Sequence, residues 1–176
     1  MGWLFMPEHT NGHFKDTEWW LVVDYGNILD LSYYIRIKEN RYPLRTMYFL
    51  NHNLEYSLEL QGSDINSLKR QAVEIVTNKL NNIIKELKRP TIWEEIKDGT
   101  VAESLILRTG SMCLKIKKLV QGTILCHSAF DHLIQLESTT TENAKKYLIN
   151  QVISKAETVI SQITTPIDSL STHYHY

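Results

Sequence analysis

The sequence predicts an α+β fold in which antiparallel sheets carry long amphipathic helices on one face. Three observations predict it. Apolar and polar residues alternate with a period of two through Trp19–Tyr25 and Ile28–Lys38, as in strands covered on one side and wet on the other. Apolar residues then recur at steps of three and four through Ile65, Leu68, Ala72, Ile75, Val76, Leu80, Ile83, Ile84 and Leu87, the stripe of a helix with 3.6 residues per turn. The same run of strands, turn and helix returns 76 positions later without a gap: Phe49-Leu50 falls on Leu125-Cys126, Leu58 on Ile134, Ala72 on Leu148 and Ile84 on Ile160. Identities between the two stretches are few, so the signal is the apolar pattern.

Taken in order, residues 1–17 read as an irregular lead-in whose Trp3, Leu4 and Phe5 dock on the body. The first repeat occupies 18–88. Its opening strand puts Trp19, Leu21, Val23 and Tyr25 on one face, and Gly26-Asn27 supplies a tight turn. The second strand sends Leu29, Leu31, Tyr33, Ile35 and Ile37 one way and Asp30, Ser32, Tyr34, Arg36 and Lys38 the other. Strands at Met47–Leu50 and Leu54–Gln61 flank the turn-prone Asn51-His52-Asn53. The helix that follows is capped by Ser63 or Asp64, whose oxygens accept from first-turn N–H groups. Lys88-Arg89-Pro90 ends it, because proline cannot continue a helix.

Residues 89–102 read as a linker with one helical turn near Thr91–Asp98. The second repeat, 103–164, repeats the order. Strands are expected at Ser104–Arg108, Met112–Ile116, Ile124–His127 and Phe130–Glu137, and a helix at Thr141–Ile163 opened by a Thr139/Glu142 capping box. Residues 165–176 read as a loose tail. The expected architecture is therefore two pseudo-symmetric ββββα units. In strand order it is similar to the Whirly and PUR group of single-stranded nucleic-acid binders, and this analogy implies binding through the sheets. The lysine-glycine signature strand of the plant Whirly proteins is absent from this chain, and strand order alone does not determine function.

The chain of 176 residues is long enough to bury a good core. Its 43% hydrophobic and 22% charged residues are ordinary for a globular protein, and its net charge of −1 supplies no global pull toward polyanions. Nucleic-acid binding would need a local patch. No apolar run approaches the roughly 20 residues of a membrane span, and the opening residues lack the basic flank of a signal peptide. A cytoplasmic location with reduced Cys113 and Cys126 is the expectation.

Catalytic motifs are missing: there is no nucleophile elbow, Walker loop, Gly-x-Gly-x-x-Gly or His-Glu-x-x-His. His9 and His13 have helical metal-ligand spacing, but Asn11-Gly12 between them opposes a helix. Cys126 and His127 are neighbours on a strand and so diverge, which leaves Cys113 without a zinc-binding set. His132 falls in apolar register, as expected for a hydrogen-bonded interior histidine. The sequence therefore points to no enzyme, no cofactor and no metal.

One feature bears on function. On the outward faces of the second strands, cations alternate with aromatics: Tyr34, Arg36 and Lys38, continuing to Arg41, Tyr42 and Arg45, then Lys115, Lys117 and Lys118, with Trp20 and Arg108 on neighbouring strands. Cations meet phosphates and rings stack on bases, which suits single-stranded DNA or RNA. Lysine and arginine on a wet sheet face also serve solubility alone. Glu55, Glu59, Asp131 and Glu137 make the fourth strands acidic. A second class fits the same residues. It is a protein-interaction module (an inhibitor, immunity-type or assembly protein) anchored by Trp3, Trp20, Tyr34 and Tyr42. A weaker third reading is a small-molecule pocket lined by Tyr33, Tyr56 and His132. Self-association to a homo-oligomer is expected if Val73, Ile84, Ile149 and Ile160 make the helices more apolar than the sheets can cover.

Overall fold

A computed structural model describes residues 3–6, 17–23, 32–39, 45–51, 54–60, 64–97, 99, 101–109, 112–128, 130 and 133–164; in the strands before residue 61 the description covers the backbone and the Leu21 side chain. The fold is α+β. Strands β1 (Trp3–Met6), β2 (Thr17–Val23), β3 (Ser32–Glu39), β4 (Arg45–Asn51) and β5 (Leu54–Leu60) precede helix α1 (Ile65–Leu87). Strands β6 (Glu94–Glu95), β7 (Glu103–Thr109), β8 (Met112–Lys118), β9 (Ile124–His127) and β10 (Ile134–Leu136) precede helix α2 (Thr141–Thr164). The strands form two five-stranded sheets in the orders β1-β2-β3-β4-β5 and β10-β9-β8-β7-β6. The described strand pairings are antiparallel between chain neighbours, so short turns are enough to connect them.

Each sheet has five strands where the sequence reading placed four. Trp3–Met6 belongs to β1 and pairs with β2, Trp3 opposite Leu21, although it was expected to be irregular. The run Trp-Leu-Phe-Met has strong strand propensity, and only the polar stretch after it suggested a loop. Glu94–Glu95 forms β6 against Ile106 and Leu105 in place of the expected helical turn. A glutamate pair carries little strand propensity, so the neighbouring β7 edge decides its conformation. The Ile96 N–H extends this ladder by donating to the Ser104 carbonyl at 2.8 Å.

Both helices start at capped residues. The Asp64 carboxylate accepts from the N–H groups of Asn66 at 3.2 Å and Ser67 at 2.9 Å. Thr140 caps α2, its hydroxyl accepting from the Asn143 N–H at 3.2 Å. The expected Thr139/Glu142 box is thus displaced by one residue: Asn143 occupies the third helical position, and Glu142 instead binds the Lys145 ammonium at 2.6 Å. Gly122 has a φ of 94° in the turn between β8 and β9, a conformation that glycine adopts at no steric cost.

Two compact units divide the chain. One holds nearly all of the first sheet with α1 up to Thr77 and α2 from Val159; the other holds α1 from Asn78, the second sheet and α2 up to Thr158. In the first unit Leu21, Leu68, Ala72, Val76, Val159 and Ile163 are buried. In the second, the sheet buries Leu105, Leu107, Leu114, Ile116, Ile124 and Cys126, and the helices bury Leu80, Ile83, Leu87, Leu148 and Val152. Side-chain bonds tie β7 to both helices there: Thr109 donates to Glu86 of α1, and Thr141 of α2 donates to Glu103 at 2.7 Å. The buried helix positions fall 76 residues apart: Leu68 and Ala144, Ala72 and Leu148, Val76 and Val152, Leu80 and Ala156, Ile83 and Val159, Leu87 and Ile163.

The helices leave less apolar surface bare than their composition suggests. Ile84 is buried, Val73, Ile149 and Ile160 are half-buried, and Tyr147, 39% exposed, is the one large hydrophobic side chain exposed on either helix among the described residues. No described helix is long and apolar enough to cross a membrane.

Leu148 is fully buried, and Leu148→Ala is expected to cost about 2–5 kcal/mol of stability in urea unfolding. Asp64→Ala should cost about 1 kcal/mol through the lost cap. The exposed Asn150→Ala should stay within about 0.5 kcal/mol.

Candidate functional site

Strand register sorts the sequence-predicted site residues onto faces. In the first sheet Trp20 stands opposite Arg36, and Arg36 opposite Tyr48, with Leu4 next to Trp20 on the edge. Opposed residues share a face, so Leu4, Trp20, Arg36 and Tyr48 form one cross-strand row. The next row on that face holds Glu18, Lys38 and Thr46. Leu21, in the alternate phase, is buried, which marks the opposite face as the covered one. Trp20, Arg36 and Lys38 therefore share the register phase opposite to that of Leu21.

Two expected members fall elsewhere. Arg45 is opposite Glu39, itself opposite Thr17, and that row is in phase with Leu21, not with Arg36. Its place four residues beyond Arg41 in the sequence gave no phase. Tyr34 sits at a register shift: Leu21 pairs with Ile35 but Val22 pairs with Tyr33, which leaves Tyr34 without a partner on β2. This β-bulge breaks the uniform alternation expected through Ile28–Lys38 and brings Tyr33 into phase with Val22 rather than with Ile35. Arg41, Tyr42 and His132 lie outside the described residues, as do the paired histidines His9 and His13.

In the second sheet three successive rows of the face away from the core each carry one cation. Arg108 is opposite Cys113. Lys115 stands between Ile106 and His127, and Lys117 between Ser104 and Leu125. Arg108 and Lys115 are exposed and Lys117 is half-buried. Lys118 is out of phase: it is opposite Glu103 and Ile124, on the face where Leu114 and Ile116 are buried. It extends the run of lysines in sequence, but neighbouring strand residues point to opposite sides.

This second face is not uniformly wet. Ser104 and Ile106 are buried on it, at 6% and 4% exposure. A lysine stem is long enough to lie over a shorter neighbour while its ammonium stays in water, and Lys117 and Lys115 occupy the same rows. The Arg108 guanidinium lies 4.0 Å from the Glu94 carboxylate, both about two-thirds exposed, so this ion pair is weak.

Tyr48 and His127 were missed as members of these faces. Tyr48 had a signal in its alternation with Met47; His127 had one in its two-residue step from Leu125. Among the described residues no three His, Cys, Asp or Glu side chains gather as a metal site. Cys113 and Cys126 are free thiols on opposite faces of the sheet. Comparison with family models, with curated proteins and with solved structures gave no match.

Burial pushes the Cys126 thiol up from 9.0 to about 11. Roughly one thiol in a thousand is then ionised at pH 8, so a thiol reagent is expected to label Cys113 in the native protein and Cys126 only on unfolding. Below pH 9 both states hold this proton. Between pH 9 and 11 the unfolded chain loses it first, so Cys126 lowers stability as pH rises through that window. Burial also lowers the pKa of Lys69 and Lys79, which acts in the opposite sense. Urea unfolding of the native chain against Cys126→Ala at pH 8 and pH 10.5 isolates the thiol, and an unchanged difference would contradict its burial.

Proposed function

We propose that the chain is a non-enzymatic protein that binds single-stranded nucleic acid on the outward faces of its sheets. The observation that carries this reading is the row Trp20–Arg36–Tyr48, drawn across three adjacent strands with Lys38 in the next row. A strand row that alternates a cationic residue with aromatic ones suits phosphate contact beside base stacking. Stacking on an aromatic side chain is worth about 1–3 kcal/mol per base. Arg108, Lys115 and Lys117 provide a second cationic face.

The reading includes an internal duplication. Two meander sheets, each followed by a helix of nearly equal length, and buried helix positions related by one offset support descent from a single sheet-and-helix unit. The similarity in strand order to the Whirly and PUR binders belongs to this proposal. So does a cytoplasmic setting, which suits free thiols.

Protein binding is the alternative, and a specific observation favours it: Ile92 and Val120 are each 83% exposed and Leu133 54%. Exposed aliphatic side chains suit an inhibitor, immunity-type or assembly protein. Self-association through the helices has less support, since their outward positions are mainly polar.

Fluorescence anisotropy with a short labelled single-stranded oligonucleotide tests the proposal. Arg36→Glu with Lys38→Glu should weaken binding at least about 10-fold and flatten the plot of log affinity against log salt by about 1.4, the change expected for two lost phosphate contacts. Lys115→Glu with Lys117→Glu should act in the same direction. Affinity and salt slope unchanged in both variants would remove the nucleic-acid reading. A stoichiometric protein partner captured in the presence of nuclease would then favour the alternative.

A further inference from the structure

We propose that the second sheet discriminates between bases: Gln135 and Glu137, at its β10 margin, accept hydrogen bonds from exocyclic amines, so that a single strand of cytosine or adenine binds there in preference to one of thymine. This inference rests on the nucleic-acid reading and names the ligand that this sheet selects. One row of the face away from the core runs through Ser104, Lys117, Leu125 and Gln135. The next runs through Glu94, Ile106, Lys115 and His127. The lysines thus stand on β8, in the middle of the sheet, with two strands on either side.

The two margins differ. On the β6 side the Glu94 carboxylate is already met by the Arg108 guanidinium at 4.0 Å, and Ser104 and Ile106, between it and β8, are buried. On the β10 side Gln135 and Glu137 are exposed, and Leu125, between Lys117 and Gln135, is half-buried, an apolar seat for a base. From β8 to β10 is two strand spacings, about 9.6 Å, a span that one nucleotide covers from phosphate to base edge. A backbone held at Lys115 and Lys117 therefore lays its bases over β9 toward Gln135. The charge of Glu137 keeps phosphates off that margin.

The hydrogen bond between these two side chains decides what the margin recognises. Gln135 Nε2 donates to Glu137 Oε1 at 2.9 Å, which places both side chains on one face. With its nitrogen turned to the carboxylate, the planar amide presents its oxygen to the other side. A carbonyl oxygen and a carboxylate can only accept, so the margin asks for a donor. Cytosine and adenine carry one in their N4 and N6 amines, whereas the O4 of thymine would set acceptor against acceptor.

The test reads anisotropy of the full chain with labelled oligodeoxycytidylate and oligodeoxythymidylate of equal length at neutral pH. The native chain should prefer the cytosine strand by about 10-fold. Gln135→Leu with Glu137→Ala should bring the ratio of the two affinities close to one. That ratio is the readout, because the lost negative charge strengthens both strands alike. Gln135→Glu, which keeps acceptor oxygens at this position, should weaken both strands and preserve the preference. Equal binding of the two strands by the native chain, or a preference that survives in the double variant, overturns the inference while nucleic-acid binding stands. If the native chain binds neither strand, the nucleic-acid reading fails and this inference falls with it.

Discussion

The fold depends on covering two helix stripes. Neither α1 nor α2 could stay folded in water by propensity alone, because most helical stability in a protein comes from packing an amphipathic face. Each stripe carries Leu, Val, Ala and Ile at steps of three and four, and these side chains are buried almost completely. The second sheet shows what buries them. Its strands place Leu105, Leu107, Leu114, Ile116, Ile124 and Cys126 on one face, and hydrogen bonds from β7 reach both helices. Once that face is committed to the core, the phase of every strand is set, since a slip of one residue would turn all of its apolar side chains outward.

Phase is what converts a list of charged residues into a surface. Arg36 and Arg45 have the same charge, yet only Arg36 shares a row with Trp20. Lys117 and Lys118 are adjacent in the chain and stand on opposite sides of the sheet. The faces left over after core formation are narrower than the sequence alone suggests. They are also chemically unlike each other, rich in aromatic residues on one sheet and aliphatic and cationic on the other.

Local periodicity made much of this readable. The helices, the strands from β7 to β9 and the hairpin at Gly122 follow from residues whose spacing and conformational preference act over a few positions. What resisted reading depends on partners distant in sequence. Glu94 and Glu95 form a strand because β7 offers an edge, and nothing in Trp-Glu-Glu-Ile announces it. The bulge at Tyr34 is a mismatch between two strands, invisible in either one. Thr140 rather than Thr139 caps α2, a one-residue choice between identical side chains that follows Ser138, whose φ is 53°. Of the site, Trp20, Arg36, Lys38, Arg108, Lys115 and Lys117 were legible from alternation within a strand. Alternation with Met47 gave Tyr48 a phase, and the pairing of β3 with β4 was needed to place it beside Arg36.

The brevity of β6 has a consequence of its own. A sheet margin is a template on which a foreign strand can grow, and long flat margins seed precipitation. Here the margin is two residues wide and both are glutamates facing solvent. A like margin brought alongside would set carboxylate against carboxylate and find almost no ladder to extend. On its β6 side the second sheet thus offers little to a strand that would extend it.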